Sequence, residues 1–203
     1  MNSVTSQRCV FLERTSVKFL CLTMLSVCVS GAFGQSNSSF YVSKTGDDSN
    51  PGTQTAPWRT IQHAADTVRA GSTVNVRGGI YEERVTINAS GNATDGYITF
   101  RSYPGERAVL DAEGLTPNGR SAILTIHNKS YVRVEGFEIR NYRTAEHQLA
   151  PLGISVMGAG SHIELLKNNV HHIEQTFDGR DGPGHGANAF GIAVRYRRQD
   201  SYK

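Results

Sequence analysis

"AILTIHNKSYVRVEGFEIRNY" (residues 122–142) lies over "GISVMGAGSHIELLKNNVHHI" (residues 153–173) without a gap, at an offset of 31 residues. In that alignment Ile123 falls on Ile154, Ile126 on Met157 and Ser130 on Ser161. Val132 falls on Ile163, Val134 on Leu165 and Ile139 on Val170. The second copy holds His162, His171 and His172, and alone it reads as a short helix offering metal ligands. The first copy excludes that reading. Its apolar residues stand two apart at Val132 and Val134, then resume at Phe137 and Ile139 after Gly136, the mark of two short strands joined at a corner. Adjacent strand residues point to opposite faces, so His171 and His172 are not expected to ligate one ion together.

The same pattern extends in both directions. "TVNVRGGIYEERVTI" (73–87) and "YITFRSYPGERAVLDA" (97–112) each read as strand, turn, strand. A third copy begins at "GIAV" (191–194). Inserts of ten residues (143–152) and 17 residues (174–190) separate the copies. An antiparallel sandwich also has many short strands. A gapless repeat with length variation confined to certain corners favours a solenoid, in which constant coils stack and insertions gather on one face. Asn141, Asn168 and Asn169 fall near the corners, where an inward amide bonds backbone along the solenoid axis. "APWRTIQHAADTVRAG" (56–71) is different, with Trp58, Ile61, Ala65 and Val68 at helical spacing. It has Pro57 for a first turn and Gly71 for a stop. This helix is expected to cover the first coil, with His63 toward solvent.

Residues 1–34 form a separate segment. Arg8, Arg14 and Lys18 precede the apolar run 19–33, which ends in Ala32-Phe33-Gly34 before a polar stretch. This is the order of a secretory signal peptide. The run is short for a membrane anchor, which needs about 20 residues. Cys9, Cys21 and Cys28 all lie in it, so the expected mature chain of 169 residues has no disulfide, thiolate nucleophile or zinc–thiolate site. A secreted chain, extracellular or periplasmic, with no membrane span after processing, is expected. Its 18 basic and 17 acidic residues leave a net charge of +1, which gives no footprint for nucleic acid. Asn-x-Ser/Thr triplets at Asn37, Asn88, Asn92 and Asn128 are glycan acceptors only in a eukaryotic secretory setting.

Three stretches carry a family resemblance. They are the loop "GDDSNPGT" (46–53), the helix start "PWRTIQ" (57–62) and "GGIYEE" (78–83). They resemble the amino-terminal region of secreted right-handed parallel β-helix proteins of the pectate-lyase-like superfamily. The region is similar to the start of family 9 polysaccharide lyases and to a domain of unknown function found at that position. The resemblance implies an all-β fold: a right-handed parallel β-helix of about four coils with an amino-terminal α-helical cap. The expected organisation is a signal peptide (1–34), a segment with the cap helix (35–72), coils (73–194) and an atypical tail (195–203).

The resemblance also implies an extracellular polysaccharide partner, cleaved by β-elimination with Ca2+ and a basic residue. The mature chain has four lysines, Lys44, Lys129, Lys167 and Lys203, and Lys167 is the candidate base. In the 31-residue register Lys167 falls on Gly136 and Lys129 on Gly160, so the two do not stack. The family's aspartate cluster is not present as a pattern. Glu174, Asp178 and Asp181 in the Gly-rich insert "EQTFDGRDGPGHG" are the candidate calcium ligands, since a hard cation takes clustered oxygens. His172 and His185 are the candidate substrate contacts. The alternatives are a non-catalytic module that binds glycans or proteins, and an inactive amino-terminal fragment. The tail "RYRRQDSYK" (195–203) puts polar residues where earlier coils put apolar ones. It reads as neither strand nor cap, which suggests a truncated solenoid.

Overall fold

The computed structural model describes residues 38–146, 148–177 and 188–196. The expected signal peptide and the tail from residue 197 lie outside these. Three parallel sheets form the body. Sheet A orders β1 (Ser39–Val42), β2 (Thr73–Val76), β5 (Ile98–Ser102), β8 (Val132–Glu135) and β11 (Ile163–Leu166). Sheet B orders β3 (Gly79–Tyr81), β6 (Ala108–Asp111), β9 (Glu138–Thr144) and β12 (Asn169–Gln175). Sheet C orders β4 (Val85–Ile87), β7 (Arg120–His127), β10 (Ala150–Gly158) and β13 (Phe190–Tyr196). Every strand pairs with the one a coil away, giving a parallel β-solenoid of about four turns as expected.

The core consists of ladders of like residues. Phe40, Val74, Phe100, Val134 and Leu165 stack in sheet A. Tyr81, Leu110, Ile139 and Val170 stack in sheet B. Val85, Leu124, Ile154 and Ile192 stack in sheet C. Such stacking makes each coil's apolar face the floor of the next, and that burial drives assembly. The last rungs are the most open, with Ile192 48% and Val194 70% exposed.

The 31-residue register holds in sheets A and B, where Val132 pairs with Ile163 and Ile139 with Val170. It fails in sheet C. There Ile154 pairs with Leu124, not Ile123, and Val156 with Ile126, an offset of 30. Ile123 and Leu124 are both buried, so alternation breaks at this point. Gly158, at φ +91°, is the extra residue: Met157 pairs with His127, but Ala159 already meets Asn128 and Ser161 meets Ser130. The tail is also corrected at its start, since β13 continues through Arg195 and Tyr196.

The cap helix, α1 (Ile61–Thr67), is shorter than expected. Trp58 instead bridges to Val42, so Pro57 precedes the helix. Thr60 caps it and accepts from His63 N. His63 is half-buried, with its ring 5.2 Å from Trp58. Ile61, Ala64 and Ala65 of α1 join the core. The Gln62 amide meets the free edge of β4, accepting from Thr86 N at 2.7 Å and donating to Thr86 O at 3.1 Å. A solenoid's first strand needs this cover, because its unpaired edge invites other chains.

The three family stretches assemble this cap. Asp48 accepts from Arg59 N, Thr60 N and the Thr60 hydroxyl. Trp58 Nε1 donates to Asn50 O, and Gly52, at φ +75°, leaves room for the indole. Glu83 accepts from Ile61 N and Gln62 N at 2.9 and 3.0 Å. Burial pushes the Glu83 carboxyl up despite those two bonds.

Candidate functional site

The connections from sheet A to sheet B shrink to two residues, Gly136-Phe137 and Lys167-Asn168. Those from sheet B to sheet C start short, at residues 82–84, and are longer in the later coils, at residues 112–119, 145–149 and 176–189. The outer face of sheet B therefore runs directly into the inserts. Asp111, Arg140 and His171 stand in register on β6, β9 and β12 of this face. The Arg140 guanidinium donates to Asp111 Oδ2 at 2.8 Å and to Glu138 Oε1 at 2.7 Å. Arg107, 77% exposed, reaches Glu138 Oε2 at 3.1 Å. Asn141 donates to both Asp111 oxygens. Burial pushes the Asp111 and Glu138 carboxyls up. Bonds from Arg140 outweigh it, aided by Asn141 at Asp111 and His171 at Glu138, and hold both below the usual carboxylate range.

His171 Nε2 lies 3.3 Å from Glu138 Oε1, and its Nδ1 is bonded to His172 Nδ1. The two histidines do not point to opposite faces. His172 has φ +54°, stacked by register on Asn141 at φ +61°, so the strand bends there and the rings meet edge to face. Alternation holds only for extended backbone, and a left-handed residue cancels it. The charged Glu138 accepts from His171 Nε2–H, which leaves His171 Nδ1 as an acceptor. With both rings neutral, His172 Nδ1–H donates to it and the remaining His172 nitrogen, Nε2, is left as an acceptor.

Of the residues expected to act, His172 joins this cluster. Glu174 sits beyond it on β12, in register with Arg143 and 3.5 Å from Arg143 Nε. Asp178, Asp181 and His185 lie outside the described residues. Among the described residues, no group of three or more His, Cys, Asp or Glu side chains could hold a metal. Each acid of the sheet B face is held by an arginine.

Lys167 is elsewhere, at the turn between sheets A and B. It is 83% exposed and 3.7 Å from Glu135. It lines an open hollow of about 350 Å³ with Arg101, Tyr103, Glu106 and Glu135. The 31-residue alignment is sufficient to pair Arg140 with His171, but periodicity weighs apolar positions and does not mark Arg140. Asp111 and Glu138 carried no signal of their own, because nothing local shows that a strand acid meets an arginine one coil away.

Comparison with known proteins agrees with this architecture. The family profile "Pel9A-like, right handed beta helix region" matches residues 40–201. An uncharacterized protein of Bacillus subtilis, YwoF, is 36% identical over 148 residues, which is 72% of this chain and 31% of that protein. Pectate lyase PEL9 of Emericella nidulans is 30% identical over 176 residues, 76% of this chain and 43% of that protein. The chain thus spans less than half the length of either relative. A solved lacto-N-biosidase from Eubacterium ramulus superposes with a TM-score of 0.59 at 16% identity, over 80% of this chain and 31% of that one. A rhamnogalacturonan lyase superposes at 0.55 and 16% identity, over 78% of this chain and 50% of that one. These two likenesses concern the fold alone. Among the described residues no helix is long and apolar enough to cross a membrane. With the matched profile covering nearly every described coil, this chain belongs to the Pel9A-like right-handed β-helix family.

Proposed function

We propose that this chain is a secreted protein that engages a uronate-containing polysaccharide along the outer face of sheet B. The observation that carries the reading is the Glu138–His171–His172 chain beside Arg107 and Arg143. A neutral imidazole with an outward lone pair accepts a hydrogen bond from a sugar hydroxyl. The nearby guanidiniums suit a carboxylate, which arginine meets through two donors at once. The relatives' names, a pectate lyase among them, support the substrate class.

The same lone pair favours a second reading, polysaccharide lyase. A base removes the proton from the carbon next to the uronate carboxyl. The electron pair forms a C4–C5 double bond, and the glycosidic oxygen leaves from C4. His172 is the proposed base and Arg107 the proposed partner of the uronate carboxylate.

The test is affinity electrophoresis and an absorbance assay for unsaturated products. The substrates are pectic, alginate and glycosaminoglycan polymers, with calcium and with chelator. Retardation that His172→Ala weakens about tenfold is expected, the worth of one charge-assisted or well-placed hydrogen bond. Equal retardation of wild type and variant overturns the site. Product absorbance from wild type establishes the lyase reading, and silence with retained binding removes it. Calcium is proposed only through the insert. An Asp178→Ala/Asp181→Ala variant that keeps a wild-type rise in Tm with calcium removes that proposal.

A further inference from the structure

Resting on the reading of the chain as polysaccharide-engaging, we infer that the hollow at the turn between sheets A and B is a subsite for a sugar carboxylate. Its floor is Arg101 on the outer face of β5. Arg101 Nε donates to Asn75 Oδ1 at 2.8 Å, which fixes the guanidinium. Its terminal nitrogens make no hydrogen bond, and it forms no ion pair, among the described residues. Arg101 is half-buried, so those donors are held in the hollow rather than dispersed in solvent.

The other charges leave Arg101 available. Glu106 is consumed by Arg77, at 2.6 Å from Nη2 and 2.8 Å from Nε, and by Gly78 N at 2.6 Å. Glu135 faces Lys167 at 3.7 Å, a long contact that a better partner can displace. Arg77, Arg101 and Lys167 thus face Glu106 and Glu135, and one positive charge remains unmatched. Glu135 is the register neighbour of Arg101 on β8 but makes no ion pair with it, so the half-buried guanidinium keeps open donors and a ligand carboxylate can meet them with little screening.

The walls fit a pyranose. The Tyr103 ring lines it, with Arg77 packed 4.7 Å over the ring centroid. Pro104 and Gly105 continue the rim. At Gly105, φ +79°, a side chain would meet nothing within 4 Å, and at Gly136 only Ser102 Cβ at 3.5 Å, so the opening stays clear. The volume, about 350 Å³, is that of the smaller ligand pockets, which begin near about 300 Å³. The hollow at the other end of this face, about 310 Å³, makes the contrast. Its Arg133 is bound to Glu164 at 2.6 Å and lies over Tyr97 at 4.9 Å, so its charge is spent.

The test uses trigalacturonate and its full methyl ester, two ligands that differ only at the carboxyl groups, charged in one and neutral in the other. Backbone amide shifts and titration calorimetry are measured on the wild type, Arg101→Gln, Lys167→Gln and His172→Ala. Saturable shifts at Arg101–Glu106 and Lys167 with the acid are expected, with binding at least about tenfold weaker for the ester. Arg101→Gln costs about tenfold in acid affinity, and the exposed Lys167→Gln costs about twofold to fivefold without touching the fold. Equal affinity for acid and ester overturns the subsite. So does acid binding that Arg101→Gln and Lys167→Gln leave unchanged while His172→Ala weakens it, an outcome that leaves the sheet B site standing. Absence of binding to either sugar overturns both.

Discussion

Asn168 joins two coils through both ends of its amide, accepting from Phe137 N at 3.0 Å and donating to Val134 O at 2.9 Å. A corner asparagine bonding along the axis was expected from the repeat, and here it does so. Asn141 does not, because its amide faces the Asp111 carboxylate on the outer surface. Asn168→Ala strands a backbone donor and an acceptor at the turn and is expected to cost about 1–3 kcal/mol in urea unfolding. Glu83 serves the cap in the same way, holding two amides at the first turn of α1. Glu83→Ala is expected to lower stability by about 1–2 kcal/mol, read as a shift in urea midpoint at constant slope.

At the scale of the element, the coil-to-coil fit decides tolerance. Gly160 lies against the Lys129 carbonyl, where an added Cβ would overlap backbone atoms that cannot move aside. Gly160→Ala is expected to cost about 1–3 kcal/mol, whereas the same change at the open Gly114 clashes with nothing and reports only its φ of +78°. Comparison of the two melting temperatures separates crowding from conformation. On sheet B, Arg140 ties two buried carboxylates on neighbouring strands. Arg140→Met leaves both without their main partner and is expected to destabilise by about 3 kcal/mol. The histidine pair is likewise a property of the element. Residues 171 and 172 read as opposite-facing until the left-handed turn at His172 is known.

For the whole molecule, the expected acid response follows from the paired carboxylates. Asp111, Glu138, Glu106 and Glu164 are all held below their ordinary range by hydrogen-bonded arginines. A depressed carboxyl stabilises the fold fully above its unfolded value, about 4, and the contribution disappears as pH falls through the lower folded value. Glu83, raised by burial, works in the opposite sense, and its penalty is relieved on acidification. Asp47, held down by bonds from Ser49, and Asp48, held down against burial by bonds from Thr60 and Arg59, add to the four, so six groups oppose one. Stability is therefore expected to hold from pH 7 to 5 and to fall below pH 4, as measured by urea midpoints across that range.

The fold was legible because a solenoid writes its core as a local repeat. Val132 over Ile163 and Ile139 over Val170 need only the sequence to align, and the helix at Ile61 announces a cap by its spacing. The stretches that marked the family hold that cap together, with Asp48, Trp58, Gln62 and Glu83 all bonding structure rather than lining a site. They therefore spoke to architecture and not to chemistry. Tertiary structure alone decided the one-residue slip in sheet C, because a turn can absorb a residue wherever its backbone finds room, as it does at Gly158. It alone brought the Asp111 and Glu138 carboxylates to Arg140 and His171, and left the terminal nitrogens of Arg101 open. These are contacts between coils, about 30 residues apart in the chain. Charge pairing has no period, so only the stacked backbone shows which charges meet.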